Sequence, residues 1–396
     1  MRKTGDLALA GCLVLLAACG GGDGPFDIED VAIDVTVADF NGDGYADVAL
    51  PIIQGKDKPG SVALFLHQAS AGRGYQPRVD YPTSQGADTI AAGDLDLDGL
   101  PDVVAAADTA GSNNVFVLRN RVGSPGVLDS PRLLSAEFPN GIAIADINGD
   151  GRPDLLIAAS RLMLSLQQPG MPGSFAAPTV IDSGPGAVLQ AAVGDLNGDG
   201  LRDIAIVNDT SASVLLQAAA DPPQFGGALQ LAAGSAGDRL AAIAVADLDG
   251  DGRDDIVICD GTRGELLVLL QSRAQGGLFP AVTRFGGLAV GQAEAMAVAD
   301  INGDGHPDVV VGGSSGVQAF LQDTASPGSY IASGFYAAPA ATGVAIADLD
   351  ADGRMDIVIP AGPCTSSTDS CKHATPGVLY QNPANPGHFL AVQSLL

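Results

Sequence analysis

Seven times along the chain, a short run of alternating apolar and small residues gives way to a loop crowded with acids and glycines. The runs are VTVA (35–38), IAAG (90–93), IAIA (142–145), AAVG (191–194), IAVA (243–246), MAVA (296–299) and VAIA (344–347). Alternation with period two predicts a β-strand, because successive side chains leave opposite faces of the backbone. The last position is Ala or Gly in all seven. Each acidic loop is followed by a β-branched run such as DIAIV (203–207), DIVIC (255–259) or DVVVG (308–312). A third apolar strand comes next, as in VFVL (115–118), LMLSL (162–166), VLLQ (214–217) and LLVLL (266–270). A loop and a fourth strand close the unit, as in PGSFAAPTVI (172–181) and PGHFLAVQSL (386–395). No segment sustains a 3.6-residue period, so the pattern predicts an all-β chain.

The acidic loops start at residues 39, 94, 146, 195, 247, 300 and 348, at intervals of 55, 52, 49, 52, 53 and 48. A repeat of roughly 50 residues marks a propeller or solenoid. Four antiparallel strands in each of seven units predict a seven-bladed β-propeller, with the acidic loop joining the first and second strands of each blade. The small residues suit that geometry, since the first strands converge on a central channel. A linear stack would leave two open sheet edges and need capping units, which the sequence does not display. The first blade begins near Val31 and the last ends on FLAV (389–392). How the ring closes, and whether Phe26 to Ile28 join the last blade, is left open by the pattern.

Each loop spans nine positions, DxNGDGxxD in its commonest form. Position 1 is Asp39, Asp94, Asp146, Asp195, Asp247, Asp300 and Asp348. Position 3 is Asn41, Asp96, Asn148, Asn197, Asp249, Asn302 and Asp350. Position 5 is Asp43, Asp98, Asp150, Asp199, Asp251, Asp304 and Asp352, and position 6 is always Gly. Position 7 offers a backbone carbonyl, from Tyr45, Leu100, Arg152, Leu201, Arg253, His306 and Arg354. Position 9, at the head of the next strand, is Asp47, Asp102, Asp154, Asp203, Asp255, Asp308 and Asp356. Alternating oxygen donors in a tight loop suit Ca²⁺, a hard cation that takes six to eight oxygens. Asp-Gly by itself is a turn signal, but a turn has no use for acids at positions 1, 5 and 9 in every copy. EF-hand loops share positions 1, 3 and 5 but need a Glu at position 12. Here that position holds Leu50, Ala105, Ile157, Ile206, Ile258, Val311 and Ile359.

Charge sharpens this picture. The net charge is −27, and 24 of the 46 acidic residues stand at positions 1, 3, 5 and 9 of the loops. Seven bound Ca²⁺ would bring it to −13. So acidic a surface repels nucleic acid, which drops out as a partner. Loops two and seven carry Leu97 and Ala351 at position 4, where the others have Gly, and are expected to be the weaker sites.

The loop motif, the β-branched strand after it and the LLQ…PGxF stretch resemble the FG-GAP/VCBS repeats of integrin α-subunit propellers and bacterial surface proteins. The resemblance spans about residues 26–396. It implies structural Ca²⁺ in the loops, up to seven ions, and ligands engaging the opposite face or the blade edges. The inserted domain or second subunit that integrin partners need has no counterpart here.

The N-terminus reads as an export signal. Arg2 and Lys3 precede an apolar stretch from Leu7 to Ala18, shorter than the about 20 residues a membrane span needs. Leu16-Ala17-Ala18-Cys19 resembles a bacterial lipobox, which implies a signal peptide over 1–18, lipid on Cys19 and a glycine-rich tether over 19–25. An ordinary A-x-A cleavage site is the alternative. Gly20, where an Asp would favour inner-membrane retention, points to the outer membrane of the cell envelope, periplasmic or surface-facing. In that oxidising setting Cys364 and Cys371, flanking a polar loop, are expected to form a disulfide, and Cys259 to be a buried strand thiol.

Catalytic signals are sparse. GGSSG (312–316) matches the nucleophile-elbow pattern but lies between two strands, where a Gly/Ser turn is expected. His67, His306, His373 and His388 share no spacing. The expectation is a lipid-anchored, calcium-stabilised, non-catalytic binding or adhesion module whose partner is a protein or glycan. The Cys364–Cys371 loop is the candidate contact. The alternatives are a polysaccharide lyase or lectin on the same propeller, which the absence of Trp and the six Tyr count against, and a scaffold without a small ligand.

Overall fold

The structure, a computed structural model, describes residues 31–395 apart from 54–58, 69–71, 110–111, 137, 235–237, 339–340 and 361–375. The export segment with Cys19, the tether, Phe26 to Ile28, His373 and the Cys364/Cys371 pair lie outside the described residues. Seven four-stranded antiparallel sheets follow one another along the chain. Blade 3 is representative: Gly141–Ala145, Asp154–Ala158, Leu162–Ser165 and Thr179–Ile181 pair in sequence order. The inner strands touch their neighbours in ring order, and that of blade 7, Ala345–Ala347, touches that of blade 1, Thr36–Ala38. The seven blades thus form a β-propeller. No helix occurs among the described residues.

The small residues ending the inner strands have a steric reason. A Cβ at Gly194 would come within 2.4 Å of Val245 Cγ1 and 2.5 Å of Asp254 Oδ2 on the next blade. The second strands are buried on both faces, which explains why they read as continuous apolar runs rather than alternating ones. In Asp255–Asp260, Ile256 and Ile258 pack toward blade 4, while Val257 and Cys259 pack toward blade 6. The core is accordingly seven apolar wedges, one between each pair of adjacent blades, rather than one centre. Each fully buried aliphatic side chain contributes about 1.5–3 kcal/mol. Cys259 is free and fully buried, and burial pushes its thiol up to about 12.

A polar clasp reinforces the wedges. A residue at the end of the third strand or two positions past it extends its side-chain amide into the previous blade's acidic loop. Gln167 Nε2 donates to Leu95 O at 2.7 Å, Gln217 Nε2 to Ile147 O at 2.8 Å, and Gln322 Nε2 to Leu248 O at 2.7 Å. Asn120 Nδ2 does the same to Phe40 O at 2.7 Å, and Gln381 to Ile301 O. Gln271 binds Asp254 O at 3.0 Å and reaches Asp195 O only at 3.5 Å. Six of the seven junctions are clasped in this way.

Among the described residues, the junction between blades 7 and 1 closes the ring without strand exchange, all four strands of the last blade coming from the C-terminal stretch. Its clasp position is His67, whose Nε2 lies 2.6 Å from Gly72 O in its own blade. Thr342 Oγ1 donates to Ile33 O at 2.8 Å, Arg73 pairs with Asp350 at 2.8 Å, and the Arg73 guanidinium sits 3.8 Å over the Tyr380 ring. Two hairpins that the sequence pattern did not reveal branch from blades 2 and 4: Asn120–Arg121 with Ser124–Leu128, and Gln217–Ala219 with Gln224–Phe225.

Replacing a clasp residue tests this account. Gln322 is 4% exposed and also donates to Pro307 O at 3.1 Å. Gln322→Leu keeps the volume but strands Leu248 O, while Pro307 O keeps the Tyr330 hydroxyl at 3.1 Å, so chemical denaturation is expected to show a loss of about 2 kcal/mol.

Candidate metal loops

All seven acidic loops share one hydrogen-bonding scheme. The position 1 carboxylate accepts the N–H groups of positions 5 and 6: in loop 1, Asp43 N to Asp39 Oδ1 at 3.0 Å and Gly44 N to Asp39 Oδ2 at 2.8 Å. The position 5 carboxylate accepts the position 7 N–H, as from Tyr45, Arg152 and His306. Asx turns of this kind wind the chain around its own acids. Position 6 glycines adopt φ between 82° and 90°, and the glycines at position 4 between 71° and 79°.

Loops two and seven adopt the same winding without glycine at position 4. Leu97 and Ala351 take φ of 60° and 56°, a left-handed conformation that costs an L-residue about 1–2 kcal/mol. This is the physical basis for expecting weaker sites there. Leu97 is 57% exposed and packs little. Leu97→Gly is expected to raise stability by about 1 kcal/mol in urea denaturation.

Position 9 has a second task, which spacing alone did not reveal. One oxygen of each aspartate accepts the position 2 N–H, as in Phe40 N to Asp47 at 2.8 Å and Leu95 N to Asp102 at 2.9 Å. The other accepts the N–H of the clasp residue, as in His67 N to Asp47 at 2.6 Å and Gln167 N to Asp154 at 2.8 Å. The scheme recurs in all seven blades. These carboxylates are at most 1% exposed. They join the loop, the second strand and the end of the third.

Three loops bring three carboxylates to a common point: Asp94, Asp96 and Asp102; Asp247, Asp249 and Asp251; Asp348, Asp350 and Asp356. One oxygen from each lies within 4.8 Å of the others. These are the loops with Asp at position 3. In the other four, position 3 is Asn, whose Oδ1 accepts the position 5 N–H and whose Nδ2 donates to the position 5 carboxylate. Asp96 Oδ1 and Asp350 Oδ1 are buried and have no hydrogen-bond partner among the described residues. An all-oxygen donor set with buried, unpartnered carboxylate oxygens fits a hard divalent cation.

GGSSG is a hairpin turn: Gly313 pairs with Gly316 across Ser314 and Ser315, between the strands Asp308–Gly313 and Gly316–Gln322. No strand-to-helix elbow forms there. His67 is buried in blade 1. The His306 N–H is bound within loop 6, and His388 lies in the turn of blade 7 where its N–H donates to Asn385 O.

The fold and the repeated loop define a class, the β-propeller assembled from acidic-loop repeats. Within it the chain belongs to the family of the FG-GAP-like repeat, which matches residues 39–105, 94–157, 195–258, 247–311 and 300–359. Each match starts at position 1 of one loop and ends at position 12 counted from the start of the next, so the family unit is a loop-to-loop segment. No curated protein matches the chain. Among solved structures, it is similar to BBS1N in a complex with ARL6DN, at TM-score 0.51 and 12% identity, covering 84% of this chain and 89% of that one. A putative 6-phosphogluconolactonase from Bacteroides fragilis aligns at TM-score 0.54 and 12% identity, covering 80% and 87%. The V. cholerae biofilm matrix protein Bap1 aligns at TM-score 0.43 and 14% identity, covering 91% and 90%. At these identities the likeness concerns the fold.

Burial lifts the position 9 carboxyl groups against the pull of their backbone hydrogen bonds. Asp47, Asp102, Asp255, Asp308 and Asp356 rise to about 7 and Asp203 to about 6, and Asp154 shifts the same way. A group with a higher pKa folded than unfolded holds its proton more tightly in the folded state. Its stabilisation is therefore complete below the unfolded value of about 4 and is lost as the pH rises through the folded value. Ion-stripped protein is expected to melt at a higher temperature at pH 5 than at pH 8 in calorimetry. The reverse order would contradict the burial of these groups.

Proposed function

We propose that the protein is a non-catalytic binding or interaction module, stabilised by Ca²⁺ in its acidic loops and held at the bacterial cell envelope by lipid on Cys19. The observation that carries this reading is that the acid-rich sites are built into the scaffold. Their position 9 carboxylates bond to backbone N–H groups of their own blade, and the cation they fit would join inner to second strands rather than face a substrate. Calcium supplies charge neutralisation there. The residues hold it by carboxylate and amide oxygens at positions 1, 3, 5 and 9, with the position 7 carbonyl.

The tyrosines support a module over a sugar-active enzyme or lectin. Pyranose recognition favours exposed aromatic faces, yet all six are engaged within or between blades. Tyr45 stacks on His67 at 4.6 Å, and Tyr75 meets the same ring edge-on. Tyr380 lies beneath Arg73, and Tyr330 and Tyr336 pack against Phe285 and Phe389. The Tyr81 hydroxyl donates to Gly126 O at 3.4 Å.

Two measurements test the reading. Millimolar Ca²⁺ added to ion-stripped protein should raise the melting temperature by several degrees, most at pH 8, where the carboxyl groups are ionised. An unchanged melting temperature would remove calcium from the account. A glycan array and a pull-down from envelope extract, each with Ca²⁺ and with chelator, then separate the classes. Reproducible sugar turnover would overturn the non-catalytic reading.

A further inference from the structure

Three of the seven loops carry Asp rather than Asn at position 3, and each of the three meets an arginine. Arg73 Nε lies 2.8 Å from Asp350 Oδ2, and Arg119 Nη1 lies 3.3 Å from Asp96 Oδ2. Arg273 spans Asp249 Oδ2 at 3.1 Å and Asp251 Oδ2 at 2.8 Å. In the Asn loops the one such ion pair among the described residues is Arg152 with Asp150 at position 5 of loop 3, beside the Asn148 amide rather than in its place. Nδ2 of Asn41, Asn148, Asn197 and Asn302 donates to the position 5 carboxylate at 2.7–3.0 Å.

The three arginines reach position 3 from different slots of the repeat. Arg73 stands six residues after the clasp residue His67. At that spacing the other blades have Gly126, Gly173, Gly277, Gly328 and Gly387, with Pro223 in blade 4. Several of those glycines lie directly on the previous blade's position 3: a Cβ on Gly126 would meet Asn41 Cβ at 3.2 Å, and one on Gly387 would meet Asn302 Cβ at 3.2 Å. Arg119 instead immediately precedes the clasp residue Asn120, where most blades have Leu, and Arg273 follows Gln271 by two. A structural requirement of one slot would not produce this convergence. The shared element is the aspartate.

The chemistry explains why. Asn at position 3 is both donor and acceptor, so it ties down the position 5 carboxylate by itself. Asp is an acceptor only and repels its neighbour, so it draws an external donor: Arg73 and Arg119 bind the position 3 carboxylate alone, and Arg273 bridges positions 3 and 5. With Oδ2 bound to arginine, Oδ1 of Asp96 and Asp350 stays buried and unpartnered among the described residues, on side chains 12% and 8% exposed.

We infer that Arg73, Arg119 and Arg273 are positioning residues of the metal loops, each holding one oxygen of the position 3 aspartate so that the carboxylate stays turned into the loop for the cation. This rests on the calcium reading above. Arg73 does so across the ring-closing junction, from blade 1 to loop 7, so the order of that loop depends on closure of the ring. The guanidinium charge itself opposes a nearby Ca²⁺. Loss of the fork, however, frees the aspartate to swing outward, and removing an outer partner of a metal ligand commonly weakens binding about tenfold or more.

The test follows each loop separately. The position 6 glycine N–H donates to the position 1 carboxylate, at 2.8 Å for Gly353, 2.9 Å for Gly99 and 2.8 Å for Gly252. In ¹⁵N-glycine-labelled mature protein these amide signals report each loop during a CaCl₂ titration. Arg73→Gln is expected to raise the midpoint at Gly353 about tenfold while the other six loops keep theirs. Arg119→Gln and Arg273→Gln are expected to act likewise on Gly99 and Gly252. Pairing Arg73→Gln with Asp350→Asn should bring the midpoint at Gly353 back toward its wild-type value, which also guards against a variant that folds poorly. An unchanged or lowered midpoint at Gly353, a uniform rise in all seven loops, or no rescue by Asp350→Asn would overturn the inference. Wild-type glycine signals that ignore Ca²⁺ would instead overturn the calcium reading.

Discussion

Everything in this propeller turns on a buried aspartate that accepts two backbone N–H groups at once. At position 9 of each loop, one oxygen binds the loop's second residue and the other binds the end of the third strand, as Asp47 does with Phe40 and His67. A buried carboxylate is costly unless its oxygens are satisfied, and here the backbone satisfies them. In return the loop, the second strand and the third strand acquire one fixed relation, repeated around the ring. The acids at positions 1, 3 and 5 then have a rigid frame on which to converge.

From that frame two kinds of contact carry the blades into a ring. Apolar wedges between adjacent sheets supply non-directional attraction, with neighbouring residues of each second strand packing toward opposite blades. The amide clasps supply direction, because Asn120, Gln167, Gln217, Gln322 and Gln381 satisfy buried carbonyls in the preceding loop. The clasp residue's own N–H is held by the position 9 aspartate. Blade packing and loop winding are therefore one hydrogen-bonded system. Where the first and last blades meet, a different solution appears, with His67 in the clasp slot and Arg73 in the glycine slot.

Much of this was legible in the linear chain. The period near 50 residues, the alternating inner strands and the nine-position loops identified seven blades and named the acids that three of the loops bring together. Leu97 and Ala351 stood out as missing glycines, and their left-handed φ values give that irregularity a cause. The clasp was less accessible. The glutamine of the LLQ stretch looked like the polar end of a strand, and its acceptor lies about 70–80 residues away in another blade. The pairing of Arg73 was hidden for the same reason, since Arg73 and Asp350 are 277 residues apart.

By itself the sequence determined what repeats: strand periodicity, loop chemistry and blade number are local, written in side-chain spacing and in the donors each residue offers. Tertiary structure alone decided what joins one repeat to the next. Which carbonyl receives each amide, how the ring closes and which carboxylates receive a guanidinium depend on distances between remote segments. Those distances exist only once seven twisted sheets have packed around a common axis.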